Sequence, residues 1–219
     1  PAAVAVAERT VPDSPRLPGG RDPHVWHDPA QAAAMVRLVS SRLQALEPPQ
    51  AKAIQRREKT MLQSLAALDR WNRRQFASLP AQPGARTLAT GHRAFASLSQ
   101  AYGLRELAVV DEHSGSESLR PQALSTAVQR LRQERVPALF SETWPASRAL
   151  TRISELSGVT LAPQALRADG LAPAAGLGST DGDLMATLTA NTCLIVDQLG
   201  GRCDSNGQQR LIRQWQAIR

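Results

Sequence analysis

Lysine is almost absent from this chain of 219 residues, which contains only Lys52 and Lys59. Arginine therefore carries most of the positive charge, and the formal net charge is +7 at pH 7. A basic balance can indicate binding to nucleic acid or to a membrane surface. The arginines are spread along amphipathic helical patterns, with local density only at residues 56–57 and 73–74. No recognised nucleic-acid-binding motif accompanies them, so the sequence predicts no nucleic-acid partner.

The sequence has no apolar run long enough to span a bilayer. Residues 1–7 are apolar but lack a preceding basic region, so they do not make a complete signal peptide. Because the chain does not begin with methionine, we expect a mature form or a fragment. Hydrophobic residues make up 42% and charged residues 21%, which is ordinary for a folded globular protein. The length allows one large domain or two small lobes.

Cysteine is limited to Cys193 and Cys203, whose spacing fits neither a zinc knuckle nor a redox Cys-X-X-Cys motif. Two glycines at positions 200–201 allow the chain to reverse between them. We therefore predict a disulfide that closes the end of a helix, which would indicate an oxidising compartment. Two free, buried thiols are the alternative.

Two helices are predicted in the first part of the chain. Asp28 is a natural N-cap and Pro29 a natural first residue for a helix over 30–46. Residues 49–79 contain neither glycine nor proline after Pro49 and carry an apolar stripe, which predicts a helix on the order of 45 Å long. A helix of that length suits a rigid connection between two lobes. One long surface helix of a single domain is the alternative.

From residue 86 the pattern alternates between strand and helix. The predicted strands are 86–90, 107–110, 137–140 and 159–161, and the predicted helices are 93–102, 121–135, 145–157, 181–199 and 208–219. A further strand remnant is predicted at 3–6. Such alternation with short connections indicates an α/β fold with a mostly parallel sheet that is covered on both faces.

Polar side chains follow three of the predicted strands. His92 follows the first of these strands, Glu142 follows the strand ending at residue 140, and the loop after residue 161 carries Asp169. Ligands of open α/β sheets bind beyond the carboxyl ends of the strands, so we expect these side chains to converge. His24 lies far away in sequence, before the long helix. Histidine and carboxylate ligands together suit zinc, with manganese as the alternative.

Two further histidines are weaker candidates. His27 is one helical turn from His24 and could be an additional ligand or a surface side chain. His113 lies in a polar stretch that we interpret as a surface loop.

Two segments carry a family resemblance. Residues 22–26 (Asp-Pro-His-Val-Trp), followed by Asp28-Pro29, and residues 91–95 (Gly-His-Arg-Ala-Phe), followed by Tyr102-Gly103-Leu104, resemble the periplasmic metal-binding proteins of zinc and manganese ABC importers. Residues 140–142 and 191–192 fit later landmarks of that family. The resemblance covers nearly the whole chain from about residue 20 to residue 203.

The resemblance implies two α/β lobes joined by a rigid helix, with a metal held between them by His24 and His92. It divides the chain into a remnant of an N-terminal lobe at 1–48, a connecting helix at 49–80 and a C-terminal lobe at 84–219. The family's first ligand histidine would lie before residue 1, so we expect a chain truncated at its N-terminus. The family's Asp ligand usually follows the strand near residue 161 directly, which makes Asp169 a displaced candidate. His27 stands where the family usually has an apolar residue.

The sequence therefore predicts a monomeric, extracytoplasmic solute-binding protein that captures Zn²⁺ with His24, His92 and Asp169 and delivers it to an ABC permease. It is not expected to be an enzyme, and closure around the ion should be small if the long helix is rigid. Within the same family, a manganese-binding protein is the alternative. A zinc hydrolase would need an open coordination position and a general base. Glu142 could serve as that base, but no His-Glu-X-X-His spacing is present.

Overall fold

A computed structural model describes residues 16–17, 20–110, 120–173 and 182–218 of the chain. Its helices are α1 (Pro29–Leu46), α2 (Ala51–Ala77), α3 (Ala96–Tyr102), α4 (Pro121–Gln133), α5 (Arg148–Ser157), α6 (Leu184–Gln198) and α7 (Ser205–Gln216). Its strands are β1 (Arg16–Leu17), β2 (Gly20–Arg21), β3 (Thr87–Thr90), β4 (Arg105–Ala108), β5 (Leu139–Phe140), β6 (Ala172–Pro173) and β7 (Gly182–Asp183). The predicted strand at 3–6, the start of the predicted helix at 181 and His113 lie outside the described residues.

The central sheet is parallel, with the strand order β4-β3-β5. Leu161 extends it by a single parallel bridge to Leu139. Successive side chains of a strand point to opposite faces, and both faces of β3 are buried. Leu88 belongs to one apolar core and Ala89 to another, so the sheet is covered on both sides. The predicted α/β class with a parallel sheet is therefore confirmed.

Helices from different parts of the chain cover the two faces. The end of α2 packs with α3 and α6 against the face that carries Leu88. Helices α4 and α5 cover the opposite face, where Leu131 and Ile153 are fully buried. A third core, around Trp71 and Leu68, joins α2 to α1, α6 and α7.

The two predicted N-terminal helices are present. Asp28 accepts a hydrogen bond from the amide of Ala30 and caps α1, and Pro29 is its first residue. A 3-10 turn at Pro48–Gln50 separates α1 from α2. Helix α2 has 27 residues, which corresponds to about 40 Å. Its use as a connection between two lobes stays a prediction.

Several predicted boundaries are wrong. The second strand of the sheet is Arg105–Ala108 instead of 107–110, and the predicted strand at 159–161 is only the bridge at Leu161. Helix α3 begins at Ala96 and not at 93, because the carboxylate of Glu106 accepts hydrogen bonds from the amides of Ala94 and Phe95 and holds them outside the helix.

Side-chain caps move two further helix starts. Ser147 caps the amide of Leu150, so α5 starts at residue 148 instead of 145. Asp204 caps the amide of Gly207, so α7 starts at residue 205 instead of 208. Serine and aspartate are both residue types that are preferred at the N-cap of a helix.

The two cysteines are joined by a disulfide between Cys193 of α6 and Cys203, which lies just before α7. Their Cα atoms are 5.1 Å apart, within the usual range for a disulfide. Among the described helices, none combines the length and the apolar character needed to cross a membrane.

Candidate metal site

The first part of the site is a short turn that holds His24. Asp22 is buried, and its Oδ1 accepts hydrogen bonds from the His24 amide (2.9 Å) and from the His24 Nδ1 atom (2.7 Å). The proton on Nδ1 leaves the lone pair of Nε2 free to bind a metal ion. Oriented histidine ligands of this kind are usually backed by a carboxylate. A 3-10 turn at Val25–His27 follows directly.

The second part is the turn after β3, which holds His92. The amide of Gly91 donates to Glu142 Oε1 at 2.9 Å, and the Nδ1 atom of His92 lies 3.7 Å from Glu142 Oε2. A Cβ atom at position 91 would lie too close to the Glu142 carboxylate, so a larger residue there would require that carboxylate to move. Glu106 holds the next amides of the same turn. The Glu142 carboxylate therefore fixes the turn that presents His92.

The third part is the loop at 167–169. The Asn191 side chain of α6 bonds both the amide and the carbonyl of Arg167, each at 2.9 Å. The carbonyl of Ala168 accepts from the Trp26 Nε1 atom and from the His27 Nε2 atom, each at 3.1 Å. Asp169 follows with an exposed side chain.

These three parts bring one donor atom each from His24, His92 and Asp169 within 4.8 Å of one another. His24 Nε2 lies 3.2 Å from Asp169 Oδ1, and His92 Nε2 lies 3.8 Å from Asp169 Oδ2. The two imidazole rings are 5.7 Å apart, centroid to centroid. A cavity of about 430 Å³ opens beside them, lined by residues that include His92, Glu142 and Asp169.

The carboxylates change the protonation of His24. Burial lowers its pKa, but the hydrogen bond and negative charge of Asp22, together with the charge of Asp169, outweigh that effect. The pKa of His24 is therefore raised above its ordinary value, in spite of the opposing charge of His92.

His27 is not a surface side chain, as one interpretation of the sequence had it, and it is not among the three residues whose donor atoms converge. Its ring is 1% exposed and stacks on Phe95 at 4.6 Å, and its Nε2 atom bonds the Ala168 carbonyl. Since a carbonyl oxygen only accepts, Nε2 carries the proton. Burial lowers the pKa of His27 to about 4, so the ring is neutral near pH 7.

The structure thus brings together the three residues that the sequence singled out as ligands. Glu142 lies at the edge of this group, 3.7 Å from His92 Nδ1, and its carboxylate accepts a hydrogen bond from the Gly91 amide. The interpretation of the sequence missed the roles of Asp22 and Asn191. Aspartate two residues before a histidine can accept that histidine's amide, which is a readable Asx-turn signal. Asn191 is a polar side chain inside a mostly apolar helix, and it is 2% exposed.

The sequence resembles a known protein family and named members of it. The family model of the periplasmic zinc-uptake complex component A, ZnuA, matches residues 2–198. The zinc-binding protein TroA of Treponema pallidum is 34% identical over 143 residues, which are 64% of this chain and 45% of that protein. The manganese ABC transporter substrate-binding lipoprotein PsaA of Streptococcus mitis is 27% identical over 146 residues, which are 67% of this chain and 46% of that protein.

The fold is also similar to that of a solved relative. The structure of the periplasmic zinc-binding protein TroA from Treponema pallidum matches with a TM-score of 0.76 at 28% identity, and the match covers 90% of this chain and 71% of that one. The chain spans less than half the length of the two curated relatives. Because the family model matches residues 2–198, the chain belongs to the ZnuA family of periplasmic metal-binding components of ABC importers.

Proposed function

We propose that this chain captures a zinc ion as transport substrate with His24, His92 and Asp169 and delivers it to an ABC permease. The observation that carries the proposal is the convergence of three donor atoms, from three separate segments, within 4.8 Å. Two further carboxylates, Asp22 and Glu142, lie behind the imidazoles on their Nδ1 sides. That arrangement leaves both Nε2 atoms directed at Asp169.

The spacing of the donors fits a small divalent ion. Zinc bonds of about 2.0–2.2 Å in a tetrahedral site correspond to donor separations of about 3.4 Å. The separations of 3.2 Å and 3.8 Å between the imidazoles and the Asp169 carboxylate lie on either side of that value. Small rotations of the three side chains are therefore enough to close on an ion.

Zinc is favoured over manganese by the donor set. Two of the three donors are imidazole nitrogens, which suit zinc, whereas manganese prefers sites richer in oxygen. At a given nitrogen and oxygen site, divalent zinc also binds more tightly than divalent manganese. The names of the two relatives refer to zinc and to manganese respectively, so manganese is the alternative within the same family.

Delivery to a permease follows from the family, whose members are substrate-binding proteins and not enzymes. Glu142 is therefore assigned to holding the His92 turn and not to hydrolysis as a general base. We place the chain outside the cytoplasm, since the family model is described as periplasmic and a disulfide suits an oxidising compartment. That the chain acts as a monomer stays a prediction.

The test is calorimetric titration of the full chain with zinc and with manganese near neutral pH. We expect zinc to bind more tightly than manganese, and His92→Ala to abolish zinc binding because it removes one of three donors. His113→Ala is the matched control, since it removes a histidine that is no part of the proposed site. Unchanged zinc affinity in His92→Ala, or equal losses in both variants, would count against the site.

A further inference from the structure

We infer that His27 and Trp26 are positioning residues that hold Asp169 in place for the metal ion. The inference rests on the proposed metal site, because it assigns these residues a role toward one of its ligands. Neither side chain contributes a donor atom to the group formed by His24, His92 and Asp169. Both act on the peptide group that precedes the aspartate.

The Asp169 ligand needs such support because of where it lies. Its side chain is 64% exposed, and it sits in a loop of irregular structure between Leu161 and β6. An exposed side chain on a free loop would sample many positions, and ordering it at the moment of binding would lower the affinity for the metal ion. A loop that is already ordered avoids that loss.

Two hydrogen-bond donors converge on one oxygen atom next to this ligand. The Trp26 Nε1 atom and the His27 Nε2 atom both donate to the Ala168 carbonyl at 3.1 Å. That carbonyl belongs to the peptide group between Ala168 and Asp169. Fixing the plane of this peptide group therefore fixes the backbone nitrogen and Cα atom of Asp169. Asn191 fixes the preceding residue through both of its backbone groups.

We call the Trp26 and His27 side chains that bond the Ala168 carbonyl the clamp. The short turn that carries this clamp also carries the proposed ligand His24. His24, Trp26 and His27 lie within four consecutive positions, and residues 25–27 form a single 3-10 turn. Asp169 is therefore positioned relative to His24 by one rigid piece of backbone. The His27 ring also stacks on Phe95, three residues after His92. The ring of His27 thus contacts or adjoins all three segments that carry the ligands.

The first test measures the order of the loop without any metal. In the full metal-free chain, His27→Phe keeps an aromatic ring against Phe95 but removes the donor to Ala168. We expect faster hydrogen exchange at the Arg167 amide, which donates to Asn191 in the same loop, measured by NMR. The amide of Leu166, which bonds the Ser141 carbonyl, should keep its rate. Unchanged exchange at Arg167 would overturn the inference.

The second test asks whether the clamp acts through the ligand. We expect His27→Phe and Trp26→Phe each to weaken zinc binding about tenfold, the low end for residues that support metal ligands. His27→Gln, which retains a donor, should restore part of the loss. Tyr102→Phe is the control, since it removes a buried hydroxyl that bonds Asn72 and Asp69 instead of the loop, and it should leave zinc affinity unchanged.

A double-mutant comparison separates positioning from general loosening of the structure. In an Asp169→Asn background, His27→Phe should have much less effect on zinc affinity, because the ligand it serves is already impaired. A full tenfold loss in that background would show that His27 acts elsewhere and would overturn the inference. Failure of the parent chain to bind zinc would overturn the proposed function, whereas the exchange experiment decides separately whether the clamp orders the loop.

Discussion

At the scale of single residues, the candidate site contains two carboxylates, Asp22 and Glu142, that lie on the Nδ1 sides of the histidines and are not among the three proposed donor residues. Asp22 fixes the tautomer of His24 through its Nδ1 atom, and Glu142 approaches the Nδ1 side of His92. The Nε2 atoms of both histidines lie near Asp169, but only Asp22 is within hydrogen-bond distance of a histidine Nδ1 atom. His27 differs, because its donor faces a backbone carbonyl and its ring is enclosed. The pKa values of His24 and His27, which lie close together in the fold, are therefore shifted in opposite directions.

The enclosure of His27 predicts a pH dependence of stability. Its pKa falls from 6.5 to about 4, chiefly by burial, although the Ala168 carbonyl and the charges of Asp22 and Asp169 act in the opposite direction. Between these pH values the unfolded chain binds a proton at this residue and the folded chain does not. Stability is therefore lost as the pH falls from 6.5 to 4, by at most about 3 kcal/mol.

Denaturant unfolding near pH 7 and near pH 4.5 tests this expectation. We expect His27→Phe to lose less stability than the parent chain between the two pH values, whatever its stability near neutrality. Tyr102→Phe carries no group that titrates in this range at the altered position, and it should reproduce the slope of the parent. Parallel curves for His27→Phe and the parent would contradict a depressed pKa.

At the scale of elements, helix starts are set by capping side chains, which are local for α1, α5 and α7 but come from another segment for α3. Pro29 and Asp28 are adjacent in sequence, so the start of α1 could be predicted. The start of α3 could not be predicted, because it depends on Glu106, which lies on β4 later in the chain. The Glu106 carboxylate accepts hydrogen bonds from the amides of Ala94 and Phe95 and so keeps them outside the helix. Local signals were sufficient only where the capping group is local.

Helix α7 is tied to the rest of the fold by groups from two other helices. Asp204 caps α7, and its amide donates to the Gln75 side chain of α2 at 2.8 Å. The Cys203 amide donates to Asp197 of α6, and the disulfide joins Cys203 to Cys193 of the same helix. Helix α7 is thereby held against both α2 and α6, which share a core with it.

The disulfide should therefore contribute to stability. The cysteines are 10 residues apart, and closing a loop of that size in the unfolded chain corresponds to about 2–3 kcal/mol in the chain-entropy account. We expect a reducing agent to lower the melting temperature of the parent and to leave that of a Cys193→Ser, Cys203→Ser double variant unchanged. A titre of two thiols in the native, untreated chain would rule the bond out.

At the scale of the whole molecule, the candidate site draws on segments that are far apart in the chain. His92 and the loop with Asp169 follow strands of one sheet, so their convergence could be predicted from parallel topology. The position of His24 could not be derived that way, because its segment precedes α1 and α2 and belongs to no strand of that sheet. Its residue type and its place next to a helix start made it a candidate ligand, and the family resemblance implied that it meets His92. The contacts of the 25–27 turn with Phe95 and Ala168 now explain how it is placed.

This dispersion predicts that the ion stabilises the fold as a whole. A ligand that binds only the folded chain adds about 2.7 kcal/mol at a concentration of 100 times its dissociation constant. The unfolded chain cannot hold His24, His92 and Asp169 together, because they are separated by 68 and 77 residues along the chain. For a chain of this length the gain corresponds to a rise in melting temperature of roughly 5–10 °C.

Thermal unfolding of the full chain with and without zinc measures that rise. Manganese at the same concentration should produce a smaller one, because the site has two imidazole donors and a single carboxylate. In His92→Ala the zinc-dependent rise should vanish, whereas in His113→Ala it should persist. An equal rise in His92→Ala would mean that zinc stabilises the chain at some other place. The joining of His24, His92 and Asp169 would then be a hydrogen-bonded cluster of the fold and no binding site for zinc.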